Sequence, residues 1–143
     1  MTVKAILDTK GGNVITIEPT ASLEQAAKIL AERRIGALVV TGPEQRVVGI
    51  VSERDIVAML AARGCHALDV PLTAVMTRKV TTCSPADTIS TIMERMTEGK
   101  FRHVPVVEQG RLTGIISIGD VVKHRLQQME TEQNALRDYI QTA

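Results

Sequence analysis

The stretch GIVSERDIV at 49–57 returns in altered form as GIISIGDVV at 114–122. Each copy places an apolar run before Ser-x-x-Asp and an apolar pair after it, which predicts a strand that leads directly into a helix. Ser52 and Ser117 are then candidate N-caps, each with an aspartate at the third helical position of a capping box. The same geometry suits a ligand, because a helix N-terminus attracts anions and a nearby carboxylate can accept hydrogen bonds from a ribose diol. These nine residues leave both interpretations open.

The motif belongs to a longer internal repeat. EPTASLEQAAKILAERRIGALVV at 18–40 aligns with SPADTISTIMERMTEGKFRHVPVV at 84–107 at an offset of 66, which becomes 67 after one inserted residue and 65 at the serine motifs. Each half predicts the order β-α-β-β-α. A unit of about 50 residues is too small to bury its sheet face alone. We therefore expect an α/β (α+β) fold in which two such motifs pack as one pseudo-two-fold module.

Both halves predict the same elements in the same order. The opening strands lie at 14–17 and 80–82, and the hairpin strands at 37–40 with 47–51 and at 104–107 with 112–116. The predicted N-cap of the first helix is Ser22 in the first half and Asp87 in the second half. The apolar positions of these two helices have the spacing of a one-sided helix, with the methionines in the core: Leu23, Ala26, Ala27 and Leu30; Ile89, Ile92, Met93 and Met96.

Composition excludes several classes of function. The 143 residues are 23% charged with a formal net charge of +1, which is typical neither of disorder nor of a basic nucleic-acid-binding domain. Phe101 and Tyr139 are the only aromatic residues, so no nucleic acid partner is expected, since single strands are bound by stacking on aromatic side chains. Cys65 and Cys83 lack CxxC spacing, and the pair Cys65-His66 offers too few ligands for a metal. Without a signal peptide or an apolar run of membrane length, we expect a cytoplasmic protein with reduced thiols and no membrane partner.

We divide the chain at 1–64, 65–125 and 126–143, which are the first motif with its run-in, the second motif with its run-in, and a C-terminal helical extension. The last helix is predicted to continue to about Ile140. Its apolar residues form one stripe, which either folds back on its own domain or packs on a second subunit: Leu126, Met129, Leu136 and Ile140. We also expect exposed apolar helix faces to pair two copies into a homodimer, at 26–30, 56–60, 92–96 and 121–122.

The repeated pattern resembles the cystathionine-β-synthase (CBS) domain, and two copies in tandem resemble the Bateman module. The resemblance rests on VMTRKVTTCSP at 75–85, KFRHVPVVEQGRLTGIISIGDVV at 100–122, and RRIGALVV at 33–40 followed by RVVGIVSERDIV at 46–57. It covers nearly everything from residue 10 to residue 125. It implies clefts between the two motifs that bind an adenosine-containing ligand such as AMP, ATP, NAD(H) or S-adenosylmethionine. It also implies no catalytic activity and a role in reporting energy or redox state to a partner.

The resemblance also implies particular binding residues. One ribose is expected at Ser52 and Asp55, and the other at Ser117 and Asp120. The adenine is expected between backbone groups and aliphatic walls from the run-in of the partner motif: Lys10, Asn13 and Ile15 facing Asp120; Met76, Lys79 and Thr81 facing Asp55. The cleft lining is expected to include Gly36, Ala37, His103, Val104 and Pro105. The cations expected to reach phosphate are Arg54, Lys79, Arg102 and His103.

Some of these residues have simpler interpretations. Arg54 and Lys79 can be solvated surface charges, and His103 can be a hydrogen-bonded strand residue. The first copy has Gly-Ala-Leu-Val at 36–39, without the histidine and proline of the second copy, so the two clefts need not bind the same ligand.

The preferred interpretation is a non-enzymatic adenine-nucleotide sensor that forms a homodimer and regulates an unidentified protein. An enzyme is disfavoured, because His66, His103 and His124 accompany no nucleophile and the chain has no glycine-rich phosphate loop or metal-ligand cluster. A third interpretation is a ligand-free scaffold that recruits a partner through its helices. Retention of both Ser-x-x-Asp motifs favours the sensor over the scaffold.

Overall fold

A computed structural model describes residues 1–142. Within them the first half forms one helix followed by the β-α-β-β-α unit, and the second half repeats the α-β-β-α part of that unit. The α/β fold class is thereby confirmed. The elements are α1 Val3–Lys10, β1 Thr16–Ile17, α2 Leu23–Arg33, β2 Ala37–Thr41, β3 Val47–Ser52, α3 Glu53–Arg63, α4 Ile89–Gly99, β4 His103–Glu108, β5 Arg111–Ser117 and α5 Ile118–Thr142. Short 3-10 turns lie at Pro43–Gln45, Gly64–Asp69 and Leu72–Ala74.

Each half contains one small sheet. In the first half, β1 pairs in parallel with β2, and β2 pairs antiparallel with β3. In the second half, β4 and β5 form an antiparallel pair. The strand predicted at 80–82 is wrong, because only an isolated parallel bridge between Cys83 and Val106 replaces it. That bridge matches the pairing of Ile17 with Val40 in β1 and β2.

The strand pairing also corrects the alignment of the repeat. Ala37 pairs with Ser52 and His103 pairs with Ser117, so Ala37 and His103 occupy equivalent places at an offset of 66. The inserted residue predicted before the second hairpin is therefore absent. The whole difference in length lies in the turn between the hairpin strands.

Each half has its own hydrophobic core, and the run-in segments cross between them. Val3 and Ile6 of α1 pack into the second core, whereas Leu72 packs into the first. Backbone hydrogen bonds tie these segments in place: Val3 N–H donates to the Asp87 carbonyl at 2.9 Å, and Leu72 N–H donates to the Ala21 carbonyl at 2.9 Å. The two halves are therefore interlocked by their run-ins. The domain division at residues 64 and 125 stays a prediction.

The helix starts follow the predicted local chemistry with one exception. Ser22 caps α2 in a capping box with Gln25, which satisfies N–H groups that a helix leaves free. The prediction of Asp87 as the cap of α4 is wrong, because Thr88 occupies that position and accepts from the Thr91 N–H at 3.2 Å. The Asp87 carboxylate instead accepts from the Ser84 N–H at 2.8 Å and so holds the turn before the helix.

The apolar helix faces lie mainly inside the chain. Ala26, Ile92 and Val121 are buried, so these parts of the predicted dimer face belong to the cores. The prediction that Met93 lies in the core is wrong, since its side chain is 38% exposed, whereas Met96 is buried. Before residue 126, the exposed apolar side chains on helices α3, α4 and α5 are Val57, Leu60, Met93, Ile118 and Val122. No helix among residues 1–142 combines the length and apolar character needed to cross a bilayer.

Candidate functional site

Two cavities lie where the halves meet. The larger, about 790 Å³, is called the Asp55 cleft because Asp55 and Ser52 at the start of α3 line it. The smaller, about 320 Å³, is called the Lys10 cleft because Lys10 at the end of α1 lines it. A cavity of several hundred Å³ is in the range that accommodates small molecules. The two clefts share wall residues: Gly36, Ala37, His103 and Ser117.

The structure brings most of the predicted site residues to these clefts. Those from the first half that line the Asp55 cleft are Gly36, Ala37, Ser52, Arg54 and Asp55. Those from the second half are Lys79, Thr81, Arg102, His103 and Ser117. The predicted residues that line the Lys10 cleft alone are Lys10, Asn13 and Ile15. Their roles toward a ligand stay predictions.

Four predicted residues are not part of either lining. Met76, Val104 and Pro105 are buried within the halves, so they support the walls from behind. Asp120 is absent from both linings and is held by Lys10. Met76 has an identifiable structural role, because its side chain lies where a Cβ on Gly49 would stand, at 2.5 Å from Sδ. Glycine at position 49 therefore permits the run-in to pack against β3.

The start of α3 forms one corner of the Asp55 cleft. Ser52 N–H donates to Asp55 Oδ2 at 2.9 Å, and Asp55 N–H donates to Ser52 Oγ at 3.3 Å, which completes a capping box. Ser52 Oγ also contacts Asp55 Oδ2 at 3.1 Å. Both hydrogen bonds to the Asp55 carboxylate use Oδ2. Within residues 1–142 no basic nitrogen lies within 4 Å of the Asp55 carboxylate. Capping therefore leaves the other carboxylate oxygen free to accept hydrogen bonds.

The start of α5 has the same capping geometry but a different electrostatic state. Ser117 N–H donates to Asp120 Oδ2 at 2.9 Å, and Asp120 N–H donates to Ser117 Oγ at 3.2 Å. In addition, Lys10 Nζ donates to Asp120 Oδ2 at 2.7 Å and to the Ile115 carbonyl at 2.9 Å. Burial opposes ionisation of Asp120, but the hydrogen bonds from Lys10 and Ser117 prevail and lower its pKa. The carboxylate that matches Asp55 is thus already paired within the chain.

The lysine that matches Lys10 is unpaired by comparison. Leu7 packs at Gly114 as Met76 packs at Gly49, so the two run-ins correspond through these contacts. Counting three residues onward from Leu7 and from Met76 aligns Lys10 with Lys79. Lys79 lines the Asp55 cleft, and the ion pairs within residues 1–142 do not include it. One lysine therefore neutralises its aspartate, while the other stays available to a ligand.

His103 is one of the residues that line both clefts. A Cβ at Gly36 would stand 3.2 Å from its Cε1 atom and 3.3 Å from its Nε2 atom, so glycine lets the ring lie against the first half. Burial lowers the pKa of His103 below 6.5, and the nearby Lys10 charge acts in the same direction. The imidazole is therefore held in its neutral form near pH 7. As a neutral ring it can donate one hydrogen bond and accept another.

Sequence reasoning missed several residues of the Asp55 cleft. Lys100 and Phe101 line it directly after α4, and Glu53 and Ile50 line it from the β3–α3 segment. Lys100 has φ +56°, the left-handed conformation that ends a helix. The sequence signal that could have identified Lys100 and Phe101 is their position directly before the predicted residues Arg102 and His103. With Lys100 included, four basic side chains line the cleft against the two acidic side chains of Glu53 and Asp55.

No group of three or more His, Cys, Asp or Glu side chains is placed to hold a metal ion anywhere in the part of the chain that the structure describes. Cys65 is exposed and Cys83 is buried. Burial raises the pKa of the Cys83 thiol to about 11, and the neighbouring Asp87 charge makes a smaller contribution in the same direction.

Comparison with solved structures shows close likeness over nearly the whole chain. A CBS-domain containing protein from Agrobacterium tumefaciens is 48% identical, with a TM-score of 0.84, and the match covers 87% of this chain and 99% of that one. A CBS domain protein from Pyrobaculum aerophilum complexed with AMP is 31% identical, with a TM-score of 0.75, covering 84% and 89%. The CBS domain pair of protein MJ0100, in complex with 5′-methylthioadenosine and S-adenosyl-L-methionine, is 27% identical, with a TM-score of 0.80, covering 90% and 98%.

The family comparison agrees with the internal repeat. A family model described as the CBS domain matches the chain twice, at 3–62 and at 72–127. The two matches together span most of the chain, and each contains one of the Ser-x-x-Asp motifs that line or adjoin the clefts. The chain therefore belongs to the CBS domain family, as a tandem pair of CBS domains, the arrangement called a Bateman module.

Proposed function

We propose that this protein is a non-enzymatic regulatory module that binds an adenine nucleotide, namely AMP, ATP or NAD(H), in the Asp55 cleft and transmits the bound state to a partner protein. The observation that carries the proposal is the Asp55 carboxylate, which keeps one oxygen free of hydrogen bonds beside a cavity of about 790 Å³. Similar CBS pairs in complex with AMP, or with 5′-methylthioadenosine and S-adenosyl-L-methionine, support an adenosyl ligand.

The groups around the Asp55 cleft match the parts of a nucleotide. The free oxygen of Asp55 can accept from a ribose hydroxyl, and the first N–H groups of α3 favour the negative charge of a phosphate. Lys79 and Arg102 line the same cavity, and charge-assisted hydrogen bonds to phosphate are among the stronger ones. Ile50 and Val80 offer aliphatic surface to an adenine ring. Charge, shape and apolar surface therefore favour one adenine nucleotide per chain.

The Lys10 cleft is proposed to stay empty of ribose in the unaltered protein. Lys10 lines this cleft and Asp120 behind it does not, so a ribose reaches the aspartate only by displacing an ammonium group that also bonds to the Ile115 carbonyl. The cavity is also less than half as large. In this proposal one cleft is open to a nucleotide, and in the other Lys10 blocks the aspartate.

Calorimetric titration of Asp55→Asn with AMP tests the proposal, with Asp120→Asn as the matched control. The asparagine amide oxygen can still accept from the Ser52 N–H, so the cap survives and stability falls by only about 0.5–1 kcal/mol. Loss of the charged acceptor for ribose should weaken AMP binding by about 1.5–3 kcal/mol, roughly 10- to 150-fold. Asp120→Asn should leave that affinity within about threefold. Equal affinity in Asp55→Asn and the unaltered protein would show that Asp55 is only a helix cap.

Thermal melting identifies the nucleotide. A ligand at one hundred times its dissociation constant adds about 2.7 kcal/mol, which raises the midpoint by roughly 5–10 °C for a chain of this size. We expect such a shift with one or more of AMP, ATP, NAD, NADH and S-adenosylmethionine, and a much smaller shift with GMP. If no adenosyl compound moves the midpoint, the ligand-free scaffold becomes the better interpretation.

A further inference from the structure

The C-terminal part of α5 extends beyond both cores. Val121 is the buried residue of this helix, whereas every residue from 129 to 142 is exposed. No ion pair within residues 1–142 links this part of the helix to the rest of the chain. A helical segment of this length is marginal in water without a partner. The segment 122–142, here called the tail helix, therefore has neither a buried side chain nor an ion pair that ties it to the cores.

The tail helix carries the apolar pattern of a coiled coil. Its apolar side chains occur at alternating steps of four and three residues, and the single interruption is Gln133. This is the spacing of the a and d positions of a heptad, with Leu126, Gln133 and Ile140 at a and with Met129 and Leu136 at d. The apolar members are 53–65% exposed in the single chain. They form a narrow seam of the width that another helix covers.

We propose that the tail helix pairs with the tail helix of a second copy as a parallel, in-register, two-stranded coiled coil. In that arrangement each g position faces the e position five residues later on the partner. Arg125 then faces Glu130 of the partner subunit, and Glu132 faces Arg137 of the partner subunit. Two-fold symmetry repeats both contacts, so four oppositely charged pairs flank the seam.

Charge disfavours the antiparallel alternative that keeps all the apolar layers. That alignment places Glu130 against Glu130 of the partner subunit, and Glu132 against Glu132 of the partner subunit. Like charges in facing positions are destabilising and set the orientation of a coiled coil. The sequence of the flanking positions therefore selects the parallel pair.

Gln133 gives an independent reason for the same orientation. In the parallel pair it faces Gln133 of the partner subunit, and the two side-chain amides can hydrogen-bond to each other. In the antiparallel alignment it faces Met129 of the partner subunit and its amide is left without a partner. A single polar residue at an a position is a common device for setting register.

Cysteine cross-linking of the full chain tests the orientation. Gln133→Cys, in a Cys65→Ser background that removes the exposed native thiol, should give a disulfide-linked dimer under mild oxidation, because facing a positions bring the two introduced thiols together. Thr131→Cys in the same background is the matched control, since position f lies on the outer side of the pair. Absence of the link at 133, or equal linking at 131 and 133, would overturn the proposal.

Charge exchange tests the pairing. Arg137→Glu should raise the dimer dissociation constant about tenfold, measured by sedimentation equilibrium, because two attractive pairs become repulsive. The double variant Glu132→Arg with Arg137→Glu restores opposite charges only in the parallel alignment and should return the constant to within about threefold. Both positions are exposed, so neither change disturbs a core. An unaltered constant in Arg137→Glu, or no rescue by the double variant, would refute the parallel pair.

Discussion

Replacement of Lys10 by methionine should open the second cleft. Methionine keeps the unbranched apolar stem of lysine but lacks the ammonium group that bonds to Asp120 at 2.7 Å and to the Ile115 carbonyl at 2.9 Å. Asp120 would keep its bond from the Ser117 N–H at 2.9 Å, so the cap of α5 remains. The start of α5 would then present the same free carboxylate as the start of α3.

The size of the effect follows from the exposure of the pair. The side chains of Lys10 and Asp120 are 34% and 23% exposed, so solvent screens their attraction well below that of a buried pair. With its second hydrogen bond, the lysine contact contributes about 1–2 kcal/mol. A ribose that has to displace it loses that amount, which is roughly 5- to 30-fold in affinity. Removal of the lysine should lower stability by a similar amount and return this affinity to the Lys10 cleft.

Calorimetric titration with AMP measures the stoichiometry directly. We expect one nucleotide per chain in the unaltered protein and two in Lys10→Met, the second with weaker affinity because the smaller cleft has fewer cations. Lys79→Met is the matched control at the corresponding position, and it should weaken the first site without creating a second. Two sites in the unaltered protein, or a single site in Lys10→Met, would refute the inference that Lys10 blocks its cleft.

Three further outcomes concern stability. Because the Lys10 and Ser117 hydrogen bonds outweigh burial and lower the Asp120 pKa, its contribution is present above the unfolded value of 3.8 and is lost as the pH falls through the lower folded pKa. In Lys10→Met the melting midpoint should therefore vary less with pH below about pH 4. Burial lowers the His103 pKa, so protonation of the unfolded chain destabilises the fold as the pH falls through 6.5, and His103→Gln should remove this loss of stability. Gly49→Ala should cost about 1–3 kcal/mol in denaturant unfolding, because the added methyl group would overlap Met76. An unchanged unfolding free energy in Gly49→Ala, or an unchanged pH dependence of stability in Lys10→Met or His103→Gln, would contradict the corresponding contact.

Features that depend on neighbouring residues followed from the sequence. The capping boxes at Ser52 and Ser117 join atoms only three residues apart, so the order of residue types was enough to predict them. The hairpins and the helix spacing are local in the same sense, and the duplication of the whole pattern indicated two halves. The resemblance to the CBS domain, carried by the same motifs, is confirmed by the family match over both halves.

Features that depend on distant packing were decided by the tertiary structure alone. Lys10 and Asp120 are 110 residues apart, and they meet because Val3 and Ile6 dock α1 into the second core. No local rule distinguishes Lys10, which is paired, from Lys79, which lines an open cleft. The exposure of Met93 was likewise not predicted, because the spacing of apolar residues does not show how wide the buried face of α4 is. Short-range hydrogen bonding and periodicity therefore specify the two similar halves, while the long-range crossing of the run-ins makes their two clefts different.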